Sequence, residues 1–360
     1  MIRHGGNIYE TQRNRGIPTD ELIDFSANIN PLGMAPALKD ALADSFEAIL
    51  HYPDIEYFNL KQSIASVYGI APEFIFPGNG AGELIFRYFR VLRPKKVLIV
   101  APTFSEYEQA IRLAGGEVEY FQLQEDADFN LDIAALKLRL ADGFDVLVLC
   151  NPNNPTGSFL PLSQLGEIVE SSQHYGMQVM VDESFIDFVC EAPQQSAVQL
   201  LSENVFVVKS LTKFYAIPGL RLGFAVSFNT DVNELLNYTR EPWNINALAA
   251  MAGEIILHQT DYIRESIRYV DAERVRFVED LKKIDGLTVY PSSVNFLLLR
   301  LDERFDLCDM SEKLLQKKFL IRNASNFEFL DSRYFRIAVR KREENILLTQ
   351  ALKEYLVIDK

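Results

Sequence analysis

Asp145-Val146-Leu147-Val148-Leu149-Cys150-Asn151-Pro152-Asn153-Asn154-Pro155-Thr156-Gly157 decides how this chain is read. Val146 to Cys150 is apolar without a polar alternation, the pattern of a strand covered on both faces in a parallel sheet. The segment after it changes character at once. Two prolines there fit an ordinary turn. Three asparagines are more than a turn needs, and in open α/β sheets ligands bind at the carboxyl ends of the strands.

Outward from this stretch the same texture repeats. Val97 to Ala101 reads as a further buried strand, and Val118 to Phe121, Met177 to Val181, Val205 to Val208 and Leu222 to Val226 read as strands too. Helical patterns lie between them at Ser105 to Ala114, Leu131 to Leu140 and Ser163 to Tyr175, the last with a serine cap. Strands spaced by helices predict an α/β fold, with a mainly parallel central sheet and helices on both faces. After about Thr239 the order changes. Helices at Ala247 to Leu257 and Asp261 to Lys283 precede strands at Leu287 to Tyr290, Asn295 to Leu301 and Tyr334 to Val339, predicting a smaller α+β domain. The expected division is an N-terminal arm over 1–40, a large domain over 41–240 and a small domain over 241–360.

Composition narrows the function. The 360 residues include 50 acidic and 36 basic side chains, a net charge of −14. That acid excess argues against a broad nucleic-acid or anionic-membrane surface. Charges beyond ~8 Å are largely screened at physiological salt, so it does not exclude small anions in a pocket. No apolar run reaches the ~18 residues of a membrane span. The N-terminus lacks an apolar signal region, so a cytoplasmic protein is expected. Cys150, Cys190 and Cys308 are odd in number and far apart, and read as buried free thiols. Four scattered histidines predict no catalytic metal.

Three more strand ends carry candidate chemistry. Gly78-Asn79-Gly80-Ala81-Gly82-Glu83 precedes an apolar helix, Leu84 to Leu92; a phosphate could sit on such a helix start, and a plain turn reads equally well. Glu83 stands where the dinucleotide fingerprint needs glycine. Val181-Asp182-Glu183-Ser184-Phe185 delivers a carboxylate from a buried strand, either to cap a helix or to meet a positive group on a ligand. Ser210-Leu211-Thr212-Lys213-Phe214-Tyr215-Ala216-Ile217-Pro218-Gly219-Leu220-Arg221 places a lysine among apolar residues. Desolvation there would lower its pKa and suit it to Schiff-base chemistry. One ligand with a phosphate, a protonated ring nitrogen and an aldehyde would satisfy all these groups, and pyridoxal 5'-phosphate has all three.

The series Asn-Pro-Thr-Gly, Asp-Glu-x-aromatic and Ser-x-x-Lys…Gly-Leu-Arg resembles the fold-type I pyridoxal-phosphate enzymes of the aspartate aminotransferase superfamily over nearly the whole chain. His4-Gly5-Gly6-Asn7, Asp24 to Gly33 and Ser210 to Gly223 make it most similar to a decarboxylating branch. The resemblance implies that Lys213 bonds the cofactor covalently and shuttles protons, and that Asp182 pairs with its ring nitrogen. It implies that Asn154 meets the ring hydroxyl side near the substrate carboxylate, that Phe104 stacks on the ring, and that Gly80, Ala81, Ser210, Thr212 and Arg221 grip its phosphate. Tyr52 would reach that phosphate in a partner subunit, which implies a homodimer. His4, Gly5, Asn28, Asn154, Arg322 and Arg336 would surround the substrate.

Strand alternation supports one arginine independently. Phe335, Ile337 and Val339 share one face, so Arg336 lies on the other. Arg340 and Arg342 read as solvated. The implied reaction is decarboxylation of L-threonine O-3-phosphate to (R)-1-amino-2-propanol O-2-phosphate and CO2, a cobalamin linker. The alternative is transamination of histidinol phosphate. Phe185 bears on this choice: aminotransferases usually have a tyrosine there, and phenylalanine cannot donate to the cofactor's ring oxygen. A regulatory protein with an aminotransferase-like sensor domain would need a basic DNA-binding module, and no such segment precedes residue 40.

Overall fold

The structure is a computed structural model that describes residues 5–357. In chain order its strands are β1 (Ile23–Asp24), β2 (Ile75–Gly78), β3 (Lys96–Ala101), β4 (Glu117–Gln122), β5 (Val146–Cys150), β6 (Gln178–Asp182), β7 (Val205–Ser210), β8 (Gly223–Ser227), β9 (Leu287–Val289), β10 (Phe296–Leu301), β11 (Phe319–Leu320), β12 (Arg322–Asn323) and β13 (Tyr334–Ala338).

Seven of these make the central sheet in the order β2-β8-β7-β6-β5-β3-β4. Pairs from β7 through β4 are parallel, whereas β8 runs against both β7 and β2. The inner strands are buried except at single end residues of β3, β5 and β6; Val148, Met180 and Val208 are fully covered. Each such side chain contributes roughly 1.5–3 kcal/mol of hydrophobic stabilisation. The helices between strands are locally encoded too: Asp132 caps Ile133–Leu140 by accepting from Ala135 N at 3.0 Å.

Register sets the functional edge. Cys150 pairs with Asp182, and Asp182 with Val208, so β5, β6 and β7 end side by side. Their following loops carry Asn154, Ser184 and Lys213.

The second sheet, β12-β13-β10-β9, is antiparallel throughout. Phe335, Ile337 and Val339 face its own core with Leu297 and Leu299. The arm joins this part of the molecule: β1 pairs in parallel with β11, and Ala338 N donates to Phe25 O at 2.8 Å.

Four expectations change. Strand β2 was not anticipated, because Gly78 at its end reads as part of a glycine-rich helix start or a turn; Pro77 is tolerated in it because β2 is an edge strand. Ser163 does not cap its helix, which starts at Leu162 after Pro161 with no side-chain cap. Cys190 and Cys308 are exposed rather than buried, each on a surface segment. Arg340 is not a solvated group but lines the central cavity, as Glu344 on the following helix folds it back. Among the described residues no His, Cys, Asp and Glu cluster could hold a metal, and no helix is long and apolar enough to cross a membrane.

Candidate active site

A cavity of about 700 Å3 opens at the carboxyl ends of β5, β6 and β7, between the central sheet, the second sheet and the arm. That size is ordinary for a small-molecule site. It brings together Gly5, Asn28, Ala81, Phe104, Asn154, Asp182, Ser210, Thr212, Lys213, Arg221, Arg322 and Arg336 from the sequence-derived set. Tyr52 is not among them; it is 78% exposed and stacks on Trp243 at 4.5 Å. His4 lies outside the described residues.

Asp182 is buried and doubly held. Its Oδ2 accepts from the Tyr107 hydroxyl at 2.7 Å, and its Oδ1 from Ser184 N at 2.8 Å. The second bond is a local turn, not a helix cap. A buried carboxylate fixed this way is a fitting partner for a protonated nitrogen. Burial and then Asp182 push the Tyr107 hydroxyl pKa well above its ordinary value, so Tyr107 remains a donor. Cys150, beside them, is pushed up to about 12 by burial and then Asp182.

Lys213 Nζ sits 5.3 Å from the centre of the Phe185 ring. Burial lowers its pKa; Asp182 and Cys150 oppose this, while Arg221 and Arg336 add to it. A lysine biased toward its neutral amine is nucleophilic toward an aldehyde.

Ser210 and Thr212 share a hydrogen bond between their hydroxyls at 2.7 Å. Gly80 precedes the helix Ala81–Leu92 with φ 82°, and a Cβ on it would meet Arg221 Nη2 at 2.6 Å. The positive φ calls for glycine at this position and keeps the guanidinium close to the helix start, where free N–H groups favour an anion. The hydroxyls, the arginine and the helix start together fit a phosphate.

The opposite wall is cationic. Arg322 and Arg336 are directly paired across β12 and β13, and both are buried. Arg336 donates to Asn154 Oδ1 and, at 3.0 Å, to Ser26 O. With its amide oxygen turned toward the guanidinium, Asn28 accepts from Arg336 Nη1 at 3.2 Å and Nε at 3.3 Å. Burial and then Arg322 lower the Arg336 pKa, with Asp24 opposing. Arg322 donates to Asn323 O, and to Asn326 Oδ1 at 2.6 Å. Gly5 lies against this wall: a Cβ there would meet Ser26 O at 2.0 Å.

Tyr107 and Glu106 were missed from sequence. Tyr107 looks like a core position of an amphipathic helix, and Glu106 like a first-turn acid; neither carries a motif. Both line the cavity.

The family model for class I and II aminotransferases matches residues 20–352. The chain belongs to the class I and II aminotransferase family. Its fold is that of the fold-type I enzymes, and the family's cofactor is pyridoxal 5'-phosphate, which Lys213, Asp182 and the Ser210–Thr212–Arg221 corner fit. The chain is 40% identical to the threonine-phosphate decarboxylase of Salmonella typhimurium, covering 98% of this chain and 96% of that protein. It is 35% identical to the adenosylcobalamin biosynthesis bifunctional protein CobDQ of Leptospira interrogans, over 96% of this chain and 40% of that protein. The histidinol-phosphate aminotransferase of Clostridium acetobutylicum superposes with a TM-score of 0.86 at 30% identity, covering 92% of this chain and 98% of that one.

Proposed function

We propose that the protein decarboxylates L-threonine O-3-phosphate to (R)-1-amino-2-propanol O-2-phosphate and CO2, within cobalamin biosynthesis. The paired Arg322 and Arg336 carry this reading. Like charges placed directly opposite in a sheet are destabilising, and burial adds to the cost. Such a pair is explained by a ligand with two anionic groups, and threonine phosphate brings a carboxylate and a phosphate. The relatives that act on threonine phosphate support the same substrate.

When bound, the cofactor's protonated ring supplies an electron sink for a bond broken at the substrate Cα. The chain does the rest. Asp182, fixed by Tyr107 and Ser184, holds the proton on the ring nitrogen. Phe104 covers the ring, and Gly80, Ala81, Ser210, Thr212 and Arg221 hold its phosphate. Arg322 and Arg336, with Asn28, Asn154, Gly5 and His4, orient the substrate so that the Cα–carboxylate bond is the one that breaks. Lys213 Nζ returns a proton to Cα. Phe185 leaves the ring oxygen without the tyrosine donor usual in aminotransferases, which favours decarboxylation over transamination.

The active unit is a homodimer in this reading, with Tyr52 reaching the partner's cofactor phosphate. An exposed apolar surface supports it: Phe46, Ile49, Leu50 and Phe58 each expose more than three-fifths of their surface next to Tyr52 in the chain. A patch of this kind suits a protein partner. The arm over 1–40, the large part over 41–240 and the small part over 241–360 belong to the same proposal, as does a cytoplasmic setting.

The deciding assay runs two reactions on the purified protein. Carbon dioxide release from L-threonine O-3-phosphate is the expected outcome. Turnover confined to histidinol phosphate with 2-oxoglutarate would replace this reading with the aminotransferase one.

A further inference from the structure

Glu106 is an acid on the substrate side of a cavity whose substrate is an anion. It opens the helix Glu106–Leu113, two residues after the ring-stacking Phe104, and lines the cavity with Arg322. Its charge and that of Arg322 act on each other, and Lys213 acts on it as well. Arg336 on β13, Arg340 after it, Arg221 after β7, Asp24 on β1 and Asp182 on β6 are the other charged groups of that cavity. An ordinary carboxylate beside the binding arginine would repel the ligand the arginine is there to attract. Asn323 O and Asn326 Oδ1 both accept from Arg322 and help to orient it.

We propose that Glu106 makes the Arg322 corner selective for a phosphomonoester by sharing a single proton with it. The proposal rests on the reading of the substrate given above, and assigns the phosphate to this corner. Chemistry favours the assignment. A phosphomonoester has its second pKa near ~6, so it can take or give a proton around neutrality. A carboxylate or a sulfate monoester cannot. With one proton between them, Glu106 and the phosphate form a hydrogen bond and carry one negative charge less, which Arg322 then faces. Without that proton two like charges meet. Burial pushes the Glu106 carboxyl up to about 7, against the pull of its own backbone N–H and then of Arg322 and Lys213, so the proton is available in the right range. The proton comes from solvent when the dianion binds above that pH, and no bond other than that to the proton forms or breaks.

The test uses the cofactor-loaded protein and isopropyl phosphate, a monoester without amine or carboxylate, with isopropyl sulfate as its control. Calorimetric titration at pH 8 in buffers of different ionisation enthalpy reads the protons taken up on binding. Wild type is expected to take up close to one proton per site with the phosphate, by linkage. Glu106→Gln is expected to take up none and to lose most of its preference for phosphate over sulfate. Absence of uptake in wild type overturns the proposal without any variant. Uptake that persists in Glu106→Gln assigns the proton elsewhere and also overturns it. The visible absorbance of the lysine-bound cofactor checks that the variant is folded. Carbon dioxide release from threonine phosphate is measured alongside: if it proceeds while uptake is absent, only the Glu106 proposal falls. If threonine phosphate is not turned over at all, the substrate reading falls first.

Discussion

The Tyr107 hydroxyl donates to Asp182 Oδ2 at 2.7 Å, so a helix lying against the sheet fixes the carboxylate at the end of β6. Both groups are buried. A hydrogen bond to a charged group is worth roughly 1.5–3 kcal/mol. Tyr107→Phe keeps the ring and removes the donor. It is expected to weaken cofactor binding by about tenfold or more, as ~1.4 kcal/mol corresponds to tenfold. Fluorescence titration of the apoprotein with pyridoxal phosphate measures this; unchanged affinity would deny Tyr107 a positioning role.

Lys213 gives a pH prediction with a definite sign. Burial lowers its pKa from 10.5, so the neutral amine appears at lower pH than for a surface lysine. The rate at which the apoprotein takes up pyridoxal phosphate covalently should rise with pH and level off with a midpoint below 10.5. Lys213→Ala should lose the visible absorbance of the lysine-bound cofactor altogether. A midpoint at the ordinary value, or absorbance surviving in the variant, would contradict the assignment.

These two residues also show what a sequence can carry. Asp182, Asn154 and Lys213 were legible because each follows a strand whose unbroken apolar pattern fixes its burial, and ligands gather where parallel strands end. Tyr107 was not, because its partner is 75 residues away and its own helix position reads as core. Arg340 misled for a similar reason. Past the end of its strand it reads as solvated, but Glu344 draws it over Phe25, at 5.7 Å from the ring. The opposed Arg322 and Arg336 could not be paired from sequence, since register between β12 and β13 depends on a loop whose length fixes no pairing. Local patterns name the strand ends; long-range register decides which of them meet.

Arg336 is a buried cation whose hydrogen-bond partners are neutral oxygens of Asn154, Asn28 and Ser26. Replacing such a group by an apolar one of similar length is often neutral or stabilising. Arg336→Met should therefore raise KM by roughly 30-fold or more, corresponding to about 2–5 kcal/mol for a desolvated charge pair. Cofactor absorbance and the thermal midpoint should hold or rise. A fall in the midpoint together with loss of the cofactor would mark a structural arginine instead.

The apolar surface around Tyr52 predicts the oligomer. Ile49 and Leu50 are 62% and 69% exposed on a short helix beside it. Ile49→Asp with Leu50→Asp puts two charges on that surface and leaves the core untouched. Sedimentation equilibrium should show a dimer for wild type and a shift to monomer for the double variant, with activity falling as the dimer dissociates. A monomeric and active wild type would remove Tyr52 from the partner's site.

Beneath the active site Lys209 is fully buried between Asp187, at 3.1 Å, and Glu183, at 3.8 Å. Glu183 is itself covered, and accepts from Ser196 Oγ and Ala197 N at 2.6 Å each. This network ties β6, which delivers Asp182, to β7, which delivers Lys213. Lys209→Met removes the cation and leaves the buried Glu183 carboxylate beside the part-buried Asp187, a change that typically costs about 3–5 kcal/mol. The pH dependence follows from Glu183, whose pKa burial raises above 4.5 while Lys209 pulls it back down. Without Lys209 the folded state holds a proton on Glu183 over a wider range than the unfolded chain does. Stability then falls as pH rises through that range. The deficit of Lys209→Met against wild type should accordingly be largest at pH 8 and shrink toward pH 5. Thermal midpoints of both proteins at the two pH values test this, and a deficit that grows on acidification would show that Glu183 is not the group left uncompensated.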